Sequence, residues 1–428
     1  MIRICQASEV TRAEIFSRTS PLQAVEEPVR EILENVRKKG DEALFAYTKK
    51  FDGASLTDLL VSKEEIKEAI AATDKKLLAV IRKAAARIRA FHEKQVRTGF
   101  IINNEKGIVT GQKILPLEKV GLYVPGGTAA YPSTVLMDAI PAKIAGCGTV
   151  VMVTPPGKDG RIAPVILAAA SVAGVDRIYK IGGAQAVAAL AYGTESVPKV
   201  DKIVGPGNAY VAEAKKQVNG TVAIDMIAGP SEILIVAESG SDPRVLAADL
   251  LSQAEHDKNA SAVLVTTDMT LAKETSKELE KQIPRLLRSE IARASIDRNG
   301  KIIVTETLGE AIDISNELAP EHLELFLDAP FDHLDSVKNA GSIFLGKNCP
   351  EALGDYMAGP NHTLPTSGTA RFYSPLSVDD FVKKMQYTYF TEEALGDLAK
   401  DVAAFARAEG LTGHAESALI RGKTKRKR

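Results

Sequence analysis

The stretch VVMVTPPGKDGRIAPVILAAASVAGVDRIYKIGGAQAVAALAYG, Val150–Gly193, decides the fold class. Val150–Val153 is a short apolar run stopped by Pro155, Pro156 and Gly157, which reads as a buried strand. Pro164–Ala173 follows as a helix of small and branched residues, with Pro at its start and Gly174 just past its end. Ile178–Ile181 is again strand-like, and Ala184–Ala191 again helical. Strands alternating with helices at this spacing imply parallel βαβ units, because a parallel pair needs a crossover between its strands.

Outward from this stretch the same rhythm continues. Gly121–Val124 and Val135–Ala145 precede it, and Lys202–Val204 and Ala209–Val218 follow. A second series comprises Ile233–Val236, Pro243–Glu255, Ala262–Thr266, Leu271–Arg288, Lys301–Val304, Leu308–Glu317, Leu323–Phe326, Phe331–Asn339 and Ser342–Leu345. Two series of similar length predict two α/β domains of related build, over residues 115–230 and 231–346. Residues 1–114 carry helical periodicity at Val29–Lys39, Lys63–Ala72 and Leu77–Lys94, and are expected to form a helical N-terminal segment. Residues 347–428 open with closely spaced Gly and Pro and close with helical patterns around Asp379–Gln386 and Glu393–Ala408, a loop-rich helical extension.

Composition narrows the function. The 428 residues hold 54 Lys and Arg against 55 Asp and Glu, so neither a generally basic surface for nucleic acid nor a strongly acidic chain is expected. Cys5, Cys147 and Cys349 lack paired spacing, which excludes a disulfide framework and a Cys-based zinc ribbon and suits a reducing compartment. Met1–Ile15 is too charged for a signal peptide, and the glycines and prolines within Val120–Met137 rule out a spanning helix there. The basic end, Lys423–Arg428, reads as a solvated tail. These features predict a soluble cytoplasmic protein that binds neither nucleic acid nor membrane.

Three Gly-rich segments follow predicted strands: Val124–Gly127, Gly182–Gln185 and Gly205–Asn208. None carries the dinucleotide fingerprint or a P-loop, so each is open to reading as a plain turn or as a crevice loop at the strands' carboxyl ends. Gln185 and Asn208 suit helix capping as well as nucleotide binding. His92 and His333 read as surface histidines. Gln253 and His256 stand three apart at a helix end, which suits either a metal ion or a histidine at the helix dipole. Asp355, His362 and His414 lie in distant polar loops that spacing cannot join. Glu321 and His322 offer two proton acceptors of different intrinsic basicity, but in a regular strand they would face opposite sides. Acting together requires an irregular backbone, for which Pro320 is suited. From these residues alone the expectation is a metal-assisted acid–base enzyme with a nucleotide crevice.

Seven ordered segments carry a resemblance: GLYVPGG (Gly121–Gly127), GGAQAVAALAYGTESVPKVDKIVGPGN (Gly182–Asn208), IDMIAGPSE (Ile224–Glu232), DLLSQAEHD (Asp249–Asp257), APEHLEL (Ala319–Leu325), GDYMAGPNHTLPT (Gly354–Thr366) and EGLTGH (Glu409–His414). In these the chain resembles histidinol dehydrogenase, the zinc- and NAD-dependent family that ends histidine biosynthesis, over essentially its whole length. The resemblance implies two Rossmann-like domains, one Zn²⁺ per subunit held by Gln253, His256, Asp355 and His414, and an acid–base pair Glu321 and His322. It also implies NAD contacts at Tyr123, Gln185 and Asn208. Substrate contacts would be Ser231, Gln253, His256, His322, Asp355, Glu409 and His414, with His362 nearby in a less defined role. The implied partners are L-histidinol and a second copy of the chain, in a homodimer whose C-terminal extension crosses over and whose active sites are shared. Gly413 stands where family members often have Ala, and the basic tail is not a family feature. The competing expectations are a zinc enzyme oxidising another small polar alcohol, such as a hydroxylated sulfonate, and a zinc hydrolase. A carboxylate at Glu409 beside an anionic sulfonate argues against the first.

Overall fold

The computed structural model describes residues 1–15, 22–126 and 130–422; Gly127 and the basic tail Lys423–Arg428 lie outside them. Among the described residues the strands are β1 (Arg3–Gln6), β2 (Phe100–Ile102), β3 (Ile108–Pro116), β4 (Lys119–Tyr123), β5 (Thr149–Thr154), β6 (Arg177–Lys180) and β7 (Lys202–Val204). They continue as β8 (Ala223–Ile224), β9 (Glu232–Ala237), β10 (Ser261–Thr266), β11 (Lys301–Val304), β12 (His322–Phe326), β13 (Ser342–Leu345) and β14 (Val382–Phe390). By compactness the chain forms two units, Met1–Gln95 with Leu117–Phe381, and Val96–Pro116 with Val382–Arg428.

The first unit holds two parallel sheets. One has the order β6-β5-β4-β7-β8, which is 3-2-1-4-5 in its own chain order, the arrangement of a Rossmann sheet. The other runs β1-β11-β10-β9-β12-β13, and without the edge strand β1 its order is again 3-2-1-4-5. The two related α/β halves expected from sequence are therefore present.

Their strands read as apolar runs because both faces are covered. In the first sheet, Val120, Leu122, Val150 and Met152 pack beneath helices Pro132–Ala145 and Pro164–Ala173, joined by Ile81 and Ile88 of helix Lys75–His92. Tyr123, Val151, Val153 and Ile203 face helices Glu26–Lys39, Gly183–Tyr192 and Ala209–Val218. In the second sheet, Ile235, Leu264 and Ile302 meet helices Pro243–Ala254, Met269–Gln282 and Ser289–Asn299, while Leu234, Val265 and Leu325 meet Leu308–Leu318.

The N-terminal segment differs from the expected all-helical build. It contains β1, a four-residue edge strand paired with β11, as well as β2 and β3. The helix expected around Asp379–Gln386 is instead β14, which pairs with β3 antiparallel from Val382 to Phe390. Its last residues, Tyr387-Thr388-Tyr389-Phe390, favour a pleated surface, and the long-range partner decides. The run at Phe331–Asn339 forms only a 3₁₀ turn, Pro330–Ser336. Helices Asp41–Phe51 and Glu351–Tyr356 were not foreseen. In the second unit, β2, β3 and β14 form one antiparallel sheet, and helices Glu392–Ala408 and Thr412–Gly422 pack through Ala403, Ala406 and Ala415.

One buried ion pair braces the end of the first sheet. Lys215 Nζ meets Asp225 Oδ1 and also donates to the Gly205 carbonyl at 2.9 Å, while Asp225 Oδ2 accepts from the Gly205 N–H at 2.8 Å. Asp225→Ala strands a buried ammonium and the amide donors of Gly205 and Met226. It should destabilise the protein by about 3–5 kcal/mol in urea unfolding, the usual cost of breaking such a pair. A loss below about 1 kcal/mol would mean water replaces the carboxylate.

Candidate acid–base and metal site

The irregularity that Glu321 and His322 require is present. Ala319 sits in the left-handed region at φ 47° and β12 begins only at His322, so Glu321 lies just outside the pleat. Both side chains are then gathered by the backbone of Glu232, the first residue of the neighbouring strand β9. Glu321 Oε2 accepts from the Glu232 N–H at 2.8 Å, and His322 Nδ1 lies 2.9 Å from the Glu232 carbonyl. A carbonyl only accepts, so Nδ1 carries the proton and Nε2 presents the lone pair. Glu321 and His322 are 3.6 Å apart and both buried. Burial raises the Glu321 carboxyl well above its ordinary range, against the lowering effect of the Glu232 N–H.

Helix Glu351–Tyr356 delivers the facing groups. Glu351 and Asp355 stand four apart on it and so share a face. His322, Glu351 and Asp355 each offer a ligand atom, and these atoms lie within 4.8 Å of one another. Glu351 Oε1 is 3.9 Å from His322 Nε2 and has no hydrogen-bond partner, while Ser252 Oγ donates to Oε2 at 2.9 Å. Burial first, then the Asp355 charge, raise Glu351 to about 7. Burial would raise Asp355 too, but the hydrogen bond from His362 and the charge of that imidazole hold it well below the usual carboxylate range. Glu351 was not foreseen; its i, i+4 spacing to Asp355 was the available signal, hidden because the region read as loop.

Beneath this group lies a buried carboxyl pair. Glu324, two residues along β12 from His322, accepts from the Glu351 N–H at 2.7 Å. Burial and the neighbouring Asp249 and Glu351 carboxylates push it up to about 9, so it is neutral at pH 7 and anchors the helix start without adding charge.

Gln253 lies in the last turn of helix Pro243–Ala254, and His256 just beyond its end. The His256 N–H donates to the Gln253 carbonyl at 3.1 Å, a tight turn that continues the helical path. Gln253 Oε1 is buried with no partner, an amide oxygen left for a ligand. Burial lowers the proton affinity of His256, against the raising effect of the nearby Asp355 carboxylate. Ser231 immediately precedes β9 beside Glu232 and is half-buried. Glu409 and His414 belong to the second unit, where both are exposed. His92 is not a surface residue: it is fully buried, with Nδ1 2.7 Å from Gln95 Oε1.

At the first sheet, strand order reverses between β4 and β7. There Gly205, at φ 111°, passes so close to the chain that an added Cβ would lie 2.2 Å from the Tyr123 carbonyl oxygen. Tyr123 Oη accepts from the Gly183 N–H at 3.0 Å, and burial raises that hydroxyl to about 12. Gln185, in the first turn of helix Gly183–Tyr192, has a buried Oε1 without a partner. Asn208 does cap helix Ala209–Val218, accepting from the Val211 N–H at 3.2 Å, which leaves its amide NH₂ for other bonds.

The carboxyl edge of the first sheet thus carries the buried, unpartnered amide oxygen of Gln185, and the amino edge of the second carries Glu321 and His322 beside Glu351 and Asp355. Residues 17–422 match the family model described as histidinol dehydrogenase. The chain is 58% identical to the histidinol dehydrogenase of Bacillus thuringiensis subsp. konkukian over 399 residues, 93% of each chain. It is 51% identical to that of Clostridium acetobutylicum over 428 residues, 99% of each. A crystal structure of histidinol dehydrogenase from Elizabethkingia anophelis superposes with a TM-score of 0.93 at 39% identity, over 99% of this chain and 98% of that one. With its matching sequence and its matching structure, the chain belongs to the histidinol dehydrogenase family of oxidoreductases.

Proposed function

We propose that this protein oxidises L-histidinol through L-histidinaldehyde to L-histidine, with NAD taking a hydride in each of two steps and Zn²⁺ holding the substrate. The observation that carries this reading is the convergence of His322, Glu351 and Asp355, with the Asp355 charge acting on His256 and buried oxygens of Gln253 and Glu351 lacking partners. Imidazole with oxygen donors suits a borderline divalent cation. Gln253, His256 and Asp355 would hold it, with His414 as the fourth ligand; when bound, it supplies ligand positions for an amine and an imidazole.

His322 removes the alcohol proton at Nε2 while hydride leaves carbon, its Nδ1–H fixed on the Glu232 carbonyl. Glu321, whose burial raises its basicity, takes a proton from the water that adds to the aldehyde. Tyr123, Gln185 and Asn208 orient the nicotinamide dinucleotide at the reversal of strand order, where open α/β sheets bind ligands. Ser231 and Glu409 contact the substrate. The overall yield tests the whole scheme: two NADH per histidinol are expected. One would indicate a simple alcohol dehydrogenase, and none a different class.

The active site is shared between two copies of the chain, with Glu409 and His414 supplied by the partner. Support comes from the second unit itself, which exposes the large apolar side chains Phe100, Ile101, Ile102, Phe405 and Ile420. Mixing inactive His256→Ala with inactive His414→Ala protein should restore part of the activity in heterodimers. Zero activity after demonstrated subunit exchange would defeat the shared site. Among the described residues no helix is long and apolar enough to cross a membrane.

A further inference from the structure

Three consecutive residues, Asn361, His362 and Thr363, dock onto one face of helix Pro132–Ala145. Asn361 Nδ2 donates to the Met137 carbonyl at 2.7 Å, and Thr363 Oγ1 donates to Asp138 Oδ1 at 2.8 Å. Between them, His362 Nε2 lies 3.3 Å from Thr134 Oγ1. Positions 134, 137 and 138 share a helical face, so the three bonds form one seam. The other side of the imidazole leaves the seam: Nδ1 is 3.2 Å from Asp355 Oδ1. Thr134 is 3% exposed, and side-chain exposure of His362 and Asp355 is 11% and 16%, so water competes little for these bonds.

We propose that Thr134 is a positioning residue for the metal site, acting through His362 on Asp355. The carboxylate accepts, so His362 Nδ1 bears a proton. The Thr134 hydroxyl holds the opposite ring nitrogen and thereby fixes the ring's rotation. With one Asp355 oxygen committed to the imidazole, the other is left for the cation. Asn361 and Thr363 already anchor the loop to the helix, so the Thr134 bond is not needed to dock the loop; it selects the angle of the ring. This inference rests on the proposed zinc reading.

The test is zinc affinity, measured by competition between the metal-depleted protein and a chromophoric chelator. Thr134→Val keeps the shape and removes the hydroxyl. It should weaken zinc binding by about 10–100-fold, the usual cost of losing a group that orients a ligand, and raise KM for histidinol. KM for NAD should stay within a factor of about two, and Thr134→Ser should restore the wild-type zinc affinity. Unchanged zinc affinity in folded Thr134→Val would overturn the proposal, as would equal weakening by Val and Ser, which would point to packing. Failure of the zinc reading shows separately, as a wild-type protein that takes up no zinc.

Discussion

Replacing His322 with Asn lowers histidinol turnover by about 10²–10⁴-fold, the range in which a positioned general base contributes. The Asn side chain can still donate to the Glu232 carbonyl, which His322 Nδ1 faces at 2.9 Å, so the strand pairing survives. What is lost is the lone pair at Nε2, and both hydride transfers slow together because each needs a proton taken from oxygen. Glu321→Gln behaves differently. The amide keeps the size and an acceptor for the Glu232 N–H but cannot act as a carboxylate base. Oxidation of the aldehyde should therefore fall further than oxidation of the alcohol. Single-turnover NADH formation from each substrate makes the comparison. Equal losses with Glu321→Gln would show that the two bases do not divide the work in this way.

Asp355→Ala and His256→Ala lose bound metal and activity together while the fold persists. The reason is placement. Neither Asp355 nor His256 is a member of the apolar core of the second sheet, which is built from Ile233, Ile235, Leu246 and Leu250 among others. Metal analysis should fall from about one zinc per chain to near none, and circular dichroism should stay unchanged. Full activity in a folded, metal-free variant would remove zinc from the mechanism. Asp355→Ala also leaves His362 without its carboxylate, so the two variants need not be equally stable.

Much of the fold was legible because its strands are buried on both faces. Thr149–Thr154 and Glu232–Ala237 are apolar nearly throughout, and Pro or Gly punctuates the helices between them. Edge elements were not legible. β1 has four residues and β14 opens with two adjacent lysines, Lys383 and Lys384, after Val382, so neither has a pattern strong enough to declare itself without its partner. His92 looked solvated for a similar reason: its Phe-His-Glu-Lys context says nothing of Asn361, which covers it from 269 residues away.

The candidate site divides along the same line. From its residues the chain itself determined the α/β class, two related halves and, through seven matching segments, a family, whose resemblance implies ligand and base positions. Side-chain type and local order suffice for these. Only the tertiary structure decided that the acid–base pair stands at the amino edge of the second sheet rather than at a carboxyl edge, and that Glu351 joins it. It also decided that the Glu232 backbone sets which nitrogen of His322 is free, and that Thr134 reaches Asp355 through His362. Each depends on bonds between residues tens to hundreds of positions apart, such as the 3.3 Å contact of Thr134 with His362. No local period encodes such distances; the packing of two sheets with their helices does.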